Sequence, residues 1–195
     1  MSLAIVSVIA TACVDGVARN GGTQASDEIR VCHGYSCKYE ARVVLGAPDA
    51  RRIGAIMAGG KQSPQGERAA IGQAVAYFDR RAFEAIGIRD QPRSELGAGG
   101  VRGQLDSNDE STNTRSFLRY LDGHRLLRHH QVGTNISRGM LIDGRYFHST
   151  AVISDYSGKE WAVDSWYSET GGQPDIMPLD QWKADDSESR DARRR

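Results

Sequence analysis

Three separated segments of the chain carry side chains that suit nucleophilic catalysis. Ser107 lies at a predicted helix start, His148 in a predicted strand, and Asp164 in the strand that follows it. Unpaired backbone N–H groups and the helix dipole favour an anion at a helix N-terminus. An imidazole can take the proton of a nucleophile, and a carboxylate can orient that imidazole. The three residues therefore predict a triad of nucleophile, base and orienting acid, in that order along the chain.

The predicted hairpin that carries His148 and Asp164 gives this hypothesis a geometric condition. Strand residues alternate between the two faces of a sheet, so only some connecting loops place both side chains on one face. A two-residue turn would put Asp164 on the wrong face. A three-residue loop at 156–158, ending on Gly158 in a left-handed conformation, pairs Asp164 with Thr150 and makes His148 its diagonal neighbour. The triad hypothesis requires that loop or a bulge with the same effect.

The residues around the three positions extend the pattern into motifs. These read Gln104-Leu105-Asp106-Ser107-Asn108-Asp109-Glu110, then His148-Ser149-Thr150-Ala151-Val152, then Trp161-Ala162-Val163-Asp164-Ser165-Trp166. Together they resemble the bacterial transglutaminase-like cysteine proteases. The resemblance implies a papain-like fold and thiol-dependent amide hydrolysis or acyl transfer. It also implies roles for three residues: His148 as base, Asp164 as its orienter and Gln104 as a candidate oxyanion donor.

This chain departs from the family pattern at the nucleophile. The family has a cysteine between the positions of Asp106 and Asn108, where this chain has Ser107. A serine hydroxyl is a far weaker acid than a thiol, so a helix-end field that makes a thiolate cannot by itself make an alkoxide. We therefore expect weakened or lost catalysis. The serine fits natural loss of the chemistry, a deliberate Cys→Ser change that silences an enzyme, or working serine chemistry through His148.

Each motif also has a purely structural interpretation. Residues 106–110 match an ordinary helix N-terminus, in which a cap is followed by acids that complement the dipole. His148 can be a hydrogen-bonded sheet histidine, and Asp164 can simply end a strand. Two functions remain open besides an enzyme that acts on amide bonds. They are a non-catalytic peptide-binding module that keeps the cleft, and a structural envelope lipoprotein.

The elements that must position these residues follow from local patterns. Pro48 and Ser63-Pro64 start two predicted helices that end near Gly59-Gly60 and Ile86, and a third runs from Asn108 to Gly123. Short runs separated by turn signals predict strands at 29–32, 42–45, 139–142, 146–154 and 160–166. Helices that precede an antiparallel sheet indicate an α+β fold, with the N-terminal helices packed on the sheet.

The two ends of the chain differ from its middle in composition. Residues 1–13 combine a short apolar run with Cys13 and predict an export or lipoprotein signal, whose lipidated cysteine would attach the protein to a membrane. Residues 14–27 predict a flexible tether, residues 28–184 the transglutaminase-like domain, and residues 185–195 a disordered charged tail. We expect an exported protein, either periplasmic or anchored as a lipoprotein.

The charge balance limits the classes of partner. The chain has 195 residues, of which 25 are basic and 25 acidic. This balance gives no electrostatic basis for binding nucleic acid. We expect a peptide or protein substrate, and neither a cofactor nor a bound metal.

The remaining candidates are cysteines, acids and histidines. Cys32 and Cys37 flank a short predicted turn, where a hairpin could hold them opposite each other as a disulfide or as two buried thiols. Cys37 is predicted to lie in a strand, which argues against it as a displaced nucleophile. The acids at 106–110 could hold calcium, but helix capping explains them better. His129 and His130 are predicted to be solvated, and four aromatic residues to form the core or groove walls: Trp161, Trp166, Tyr167 and Trp182.

Overall fold

The computed structural model describes residues 27–89, 97–139 and 147–184. The predicted export signal with Cys13, the predicted tether except its last residue, and the predicted tail at 185–195 lie outside these ranges. Among the described residues, no helix is both long and apolar enough to cross a bilayer.

The described chain has the predicted α+β architecture, with helices and antiparallel sheets. Its elements in chain order are β1 (Glu28–His33), β2 (Tyr39–Val44), α1 (Ala47–Gly60), α2 (Pro64–Ile86), α3 (Ser107–Gly123), β3 (His130–Val132), β4 (Ile136–Arg138), β5 (His148–Asp155), β6 (Glu160–Asp164), β7 (Asp175–Pro178) and α4 (Leu179–Ala184).

The strands form two separate sheets. β1 and β2 make an antiparallel hairpin. The larger sheet has the order β3-β5-β6-β7, and β4 pairs with the first half of β5, which β3 leaves uncovered. β5 is therefore the central strand, and its first residue, His148, lies opposite Arg138 of β4.

The two long helices begin and end where their local chemistry predicts. The hydroxyl of Ser63 accepts a hydrogen bond from the backbone N–H of Gly66, with Pro64 in the first helical position of α2. The same helix ends at Gly87, whose φ of 71° is left-handed. α3 begins at Ser107 after a capping box formed by Asp106 and Asp109. Satisfying these orphan backbone groups is what sets the helix limits.

The central strands are buried on both faces. One face packs against α2 and α3 in the main core, and the other is covered by α4. The buried strand side chains are Ala151, Ile153 and Val163 on the first face, and Val152 and Ala162 on the second. Burial on both sides explains why these strands read as nearly continuous apolar runs and not as alternating ones.

Several short elements differ from the sequence prediction. The patterns do not predict β3, β4, β7 or α4, because three to six residues are too few for a periodicity to show. The strand predicted for 160–166 ends at Asp164. Of the strand predicted at 139–142, only Gly139 is described, and it is not in a strand.

The prediction that His129 and His130 are solvated is wrong. His130 begins β3 and is buried, with its Nδ1 2.9 Å from Oε1 of Glu67. His129 is half-buried, and its Nε2 lies 3.0 Å from the carbonyl oxygen of Lys61. The polar sequence around the pair does not reveal that α2 brings a buried carboxylate to it.

Candidate active site

The β5–β6 hairpin has the register that the triad hypothesis requires. Ala151 pairs with Val163, and continuing this register places Asp164 opposite Thr150. The backbone N–H of Asp155 donates to the carbonyl of Lys159, which leaves the predicted three-residue loop at 156–158. Gly158 has a φ of 84°, the left-handed conformation predicted for it. The prediction of the loop is confirmed, and His148 and Asp164 share one face.

His148 and Asp164 form a buried pair. Nε2 of His148 lies 2.9 and 3.1 Å from the two carboxylate oxygens, and the residues are 4 % and 1 % exposed. Because a carboxylate accepts, we assign the proton of the neutral ring to Nε2 and the lone pair to Nδ1. Among the described residues, Nδ1 has no hydrogen-bond partner. It is the nitrogen that a general base would use.

Ser107 lies beside the strand that carries His148. It is the first residue of α3 and is 3 % exposed. Its Oγ accepts a hydrogen bond of 3.3 Å from the backbone N–H of Ser149, the residue after His148. α3 and β5 therefore bring the Ser107 hydroxyl to the backbone next to His148, but Nδ1 of His148 makes no hydrogen bond to that hydroxyl.

Aromatic rings enclose His148 on several sides. The ring centroids of Trp166, Trp182 and Tyr167 lie 5.0, 5.5 and 6.2 Å from that of His148. Trp182 comes from α4, and its indole N–H donates to Oδ2 of Asp164 at 2.7 Å. The aromatic residues lower the local dielectric, which strengthens the His148–Asp164 interaction. Sequence analysis assigned these residues to core or groove walls without connecting Trp182 to Asp164, because no local signal links them.

The loop between β1 and β2 covers the start of α3. Backbone N–H groups of Tyr35 and Cys37 donate to the carboxylate of Asp109, at 2.8 and 2.6 Å, and that of Ser36 donates to Asp106 at 2.9 Å. These N–H groups face the carboxylates because residues 35–37 all adopt positive φ. The acids Asp106 and Asp109 thus cap α3, as predicted, and are also bound by this loop.

Cys32 and Cys37 form the disulfide that the sequence left open. They are not opposite each other in the hairpin, however, since Cys32 pairs with Glu40 and Cys37 lies in the loop. The strand assignment of Cys37 is therefore wrong. The three ligand atoms of Cys32, Cys37 and Asp109 lie close enough for a metal, but the bonded sulfurs are not thiolates and cannot act as such ligands.

The environment of Asp109 perturbs its acidity. The side chain is fully buried, and burial together with the nearby charge of Asp106 raises the pKa of its carboxyl to about 6, against the opposing effect of three N–H donors. This group lies only two residues beyond Ser107 and titrates close to neutral pH.

Gln104, the candidate oxyanion donor, precedes α3 by three residues. Its backbone carbonyl accepts from the N–H of Gly34 at 2.7 Å, which attaches it to the covering loop. Its side chain is half-buried and makes no hydrogen bond to the described residues. The amide therefore has no intramolecular partner there that a bound oxyanion would need to displace.

Hydroxyl and amide groups complete the contact between α3 and its neighbours. The hydroxyl of Ser149 donates to Oδ1 of Asn108 at 2.9 Å and lies 2.8 Å from that of Ser137. Asn113 exchanges two hydrogen bonds with the backbone of Cys32. These buried contacts fix the helix start against both sheets, and the sequence analysis did not single them out.

No protein-family model matches this chain, and neither a curated protein nor a solved structure matches it. Its function is therefore inferred from the residues and geometry of the site.

Proposed function

We propose that the protein has a papain-like, transglutaminase-like cleft that acts on amide groups of a peptide or protein, with catalysis weakened or lost because Ser107 occupies the nucleophile position. The observation that supports this is the buried His148–Asp164 pair. Nδ1 of His148 has no hydrogen-bond partner among the described residues, and the strand that carries His148 contacts the first residue of α3. The motif resemblance gives the same order of residues.

The proposed roles follow from general acyl-transfer chemistry. The side chain at 107 attacks the carbonyl carbon, and Nδ1 of His148 takes its proton. Asp164 stabilises the imidazolium, and the amide of Gln104 donates to the oxyanion of the tetrahedral intermediate. The intermediate expels the amine, which receives the proton from His148. Water or a second amine then attacks the acyl group and gives a proton to Nδ1 of His148, which passes it to the side chain at 107 as that side chain is released.

Restoring sulfur tests this proposal. In Ser107→Cys, the rate of alkylation by iodoacetamide is measured against pH and normalised to its own plateau, so that limited access of the reagent to the side chain does not affect the comparison. We expect the new thiol to titrate at least one pH unit below the ordinary value of about 8.5. Adding His148→Gln should move the titration back towards that value.

The control is Ser157→Cys, which places a thiol in the exposed β5–β6 loop. Cys32 and Cys37 do not react without reductant because they are bonded to each other, and peptide mapping separates the label on Cys13. If the thiols at 107 and 157 titrate alike, or if His148→Gln changes nothing, the proposed active site is wrong.

A non-catalytic peptide-binding module is the second candidate. It is favoured by the hydroxyl of Ser107, which accepts from Ser149 and makes no bond to the base. Turnover of a peptide amide by the unmodified chain that is abolished by His148→Gln would remove this candidate. A structural envelope lipoprotein would show neither turnover nor an activated thiol.

We further propose that the protein is exported. The Cys32–Cys37 disulfide supports this, because disulfides persist in oxidising compartments and are rare in the cytosol. Attachment to a membrane through lipidated Cys13 belongs to the same proposal. Mass spectrometry of the mature N-terminus tests it, and an unprocessed N-terminus in the native host would contradict it.

A further inference from the structure

A second polar cluster lies at the other end of the β5–β6 hairpin and has no role in the proposed chemistry. Trp161 precedes Asp164 by three positions in β6, which is about 10 Å along a strand. Because side chains alternate, Trp161 and Asp164 point to opposite faces of the sheet. The cluster around Trp161 is therefore a separate site, on the face that packs against α2.

A buried glutamate and a histidine position an arginine in this cluster. Glu67 is completely buried and accepts from the backbone N–H groups of Arg128 and His129, at 2.7 and 2.9 Å, and from Nδ1 of His130 at 2.9 Å. Since Nδ1 of His130 donates, its Nε2 carries the lone pair and accepts from Nη1 of Arg68 at 3.2 Å. This chain of hydrogen bonds from Glu67 through His130 to Arg68 fixes the orientation of the guanidinium.

Arg68 lacks an ion-pair partner among the described residues. Its guanidinium stacks on the ring of Trp161, 3.6 Å from the centroid, and the ammonium of Lys159 lies 4.7 Å from the same centroid. No described carboxylate oxygen is within 4.0 Å of the guanidinium. Burial lowers the pKa of Arg68 despite the opposing charge of Asp155. An anion placed beside Arg68 would compensate this partly desolvated cation.

Arg68 borders a cavity of about 390 Å³. Its walls combine the amide side chains of Gln65 and Gln173 with the apolar surfaces of Trp161, Pro174 and Ile176. Gly72 lies in the cavity wall, and a Cβ there would narrow the space because it would lie 3.3 Å from Oε1 of Gln173 and 3.8 Å from Cδ1 of Ile176. The cavity thus offers one fixed cation, amide donors and an apolar wall.

We propose that this cavity binds a carboxylate attached to a small apolar group. A guanidinium presents two parallel N–H groups that match the two oxygens of a carboxylate, and its stacking on Trp161 leaves its edge as the donor surface. The amides of Gln65 and Gln173 add neutral donors, and Pro174 and Ile176 contact the apolar group. The C-terminus of a peptide and a free small carboxylic acid share this chemistry.

Calorimetric titration of the full chain with four probes tests the proposal. They are N-acetyl-leucine, acetyl-Ala-Ala-Leu with a free C-terminus, and the C-terminal amide of each. We expect saturable binding of the acids and at least tenfold weaker binding of the amides. Tighter binding of the longer acid identifies a peptide C-terminus as the ligand, whereas equal binding identifies a small free acid. Failure of both acids to bind, or stronger binding of inorganic phosphate in a separate control titration, would overturn the proposal.

Two variants with matched controls locate the binding. Arg68→Gln removes the cation and should weaken the acids at least tenfold, whereas Arg52→Gln, on an exposed face of α1, should not. Gly72→Ala keeps the charge and narrows the cavity by one methyl group, and an alanine in a helix interior favours folding. It should weaken binding of the acids severalfold while Gly54→Ala, where a Cβ meets nothing within 4 Å, has no effect. Undiminished binding in a folded Gly72→Ala protein would contradict the assignment.

Discussion

The carboxylate of Asp164 accepts hydrogen bonds from three different groups at the candidate site. Nε2 of His148 lies at 2.9 Å, the indole N–H of Trp182 at 2.7 Å and the backbone N–H of Trp166 at 3.2 Å. A buried carboxylate is costly unless its oxygens are hydrogen-bonded, so these donors keep it in one orientation. Trp182 contributes in two ways, because its indole N–H donates to Asp164 and its ring packs beside His148.

Trp182→Phe tests the importance of this donor. The variant removes the N–H group and leaves a smaller ring in a fully buried position. We expect the free energy of unfolding to fall by about 2 to 3 kcal/mol, the scale for a hydrogen bond to a charged acceptor. Urea denaturation measures it, with the exposed Tyr156→Phe as a control that should change little. An unchanged unfolding midpoint would show that the indole N–H does not stabilise Asp164.

At the scale of elements, the covering loop and α3 stabilise each other. Three non-glycine residues at 35–37 adopt left-handed backbone conformations, which cost of order 1 kcal/mol each. The strain is offset by N–H bonds to Asp106 and Asp109 and by the Cys32–Cys37 disulfide. The loop therefore depends on α3, and the start of α3 with Ser107 depends on the loop.

Removing the disulfide should loosen this pair of elements. For Cys32→Ser/Cys37→Ser, the chain-entropy relation predicts a loss of about 2 kcal/mol, because the closed loop is short. Thermal unfolding measures the loss. Hydrogen exchange should show faster exchange at the N–H groups of residues 35–37 than in the unmodified chain, with α1 unaffected. Equal protection in both proteins would mean that the N–H bonds to the acids suffice to hold the loop.

At the scale of the whole molecule, buried acids have opposite effects on stability as pH changes. Burial by itself raises the pKa values of the Asp49 and Glu67 carboxyls. Hydrogen bonds from Tyr77 to Asp49 and from His130 to Glu67 outweigh this effect and hold both pKa values below their ordinary range. Both groups stabilise the fold above their unfolded pKa values and lose this effect as pH falls. Asp109, with its pKa raised to about 6, stabilises the fold at low pH and loses this effect as pH rises from 3.8 to 6.

Asp109→Asn should remove the loss of stability that accompanies the titration of Asp109. Between pH 4 and pH 6, the unmodified protein should lose about 2 kcal/mol of unfolding free energy relative to the variant. The comparison uses urea denaturation of both proteins at half-unit intervals of pH. Because the variant also loses a hydrogen-bond acceptor, the absolute stabilities differ for a second reason, and the decisive quantity is the slope of unfolding free energy against pH. Parallel curves across this window would show that Asp109 is not titrating there.

Local sequence determined much of the fold and the location of the candidate site. Ser63, Pro64 and Gly87 set the limits of α2 through backbone groups within a few residues of each other. The loop at 156–158 determines which face of the hairpin carries Asp164, and the triad hypothesis predicted it, with Gly158 suited to its left-handed position. Such features are predictable because their partners lie close together in the chain.

Tertiary structure decided the surroundings of these residues. Trp182 reaches Asp164 through α4, the loop at 34–37 reaches Asp109 across more than 70 positions, and Glu67 reaches His130 from a different element. Each contact joins groups from distant parts of the chain, and the local sequence around them indicates only a turn or a polar stretch or, around Trp182, no element at all. No local periodicity encodes them, because packing of distant elements, and not backbone propensity, supplies their free energy.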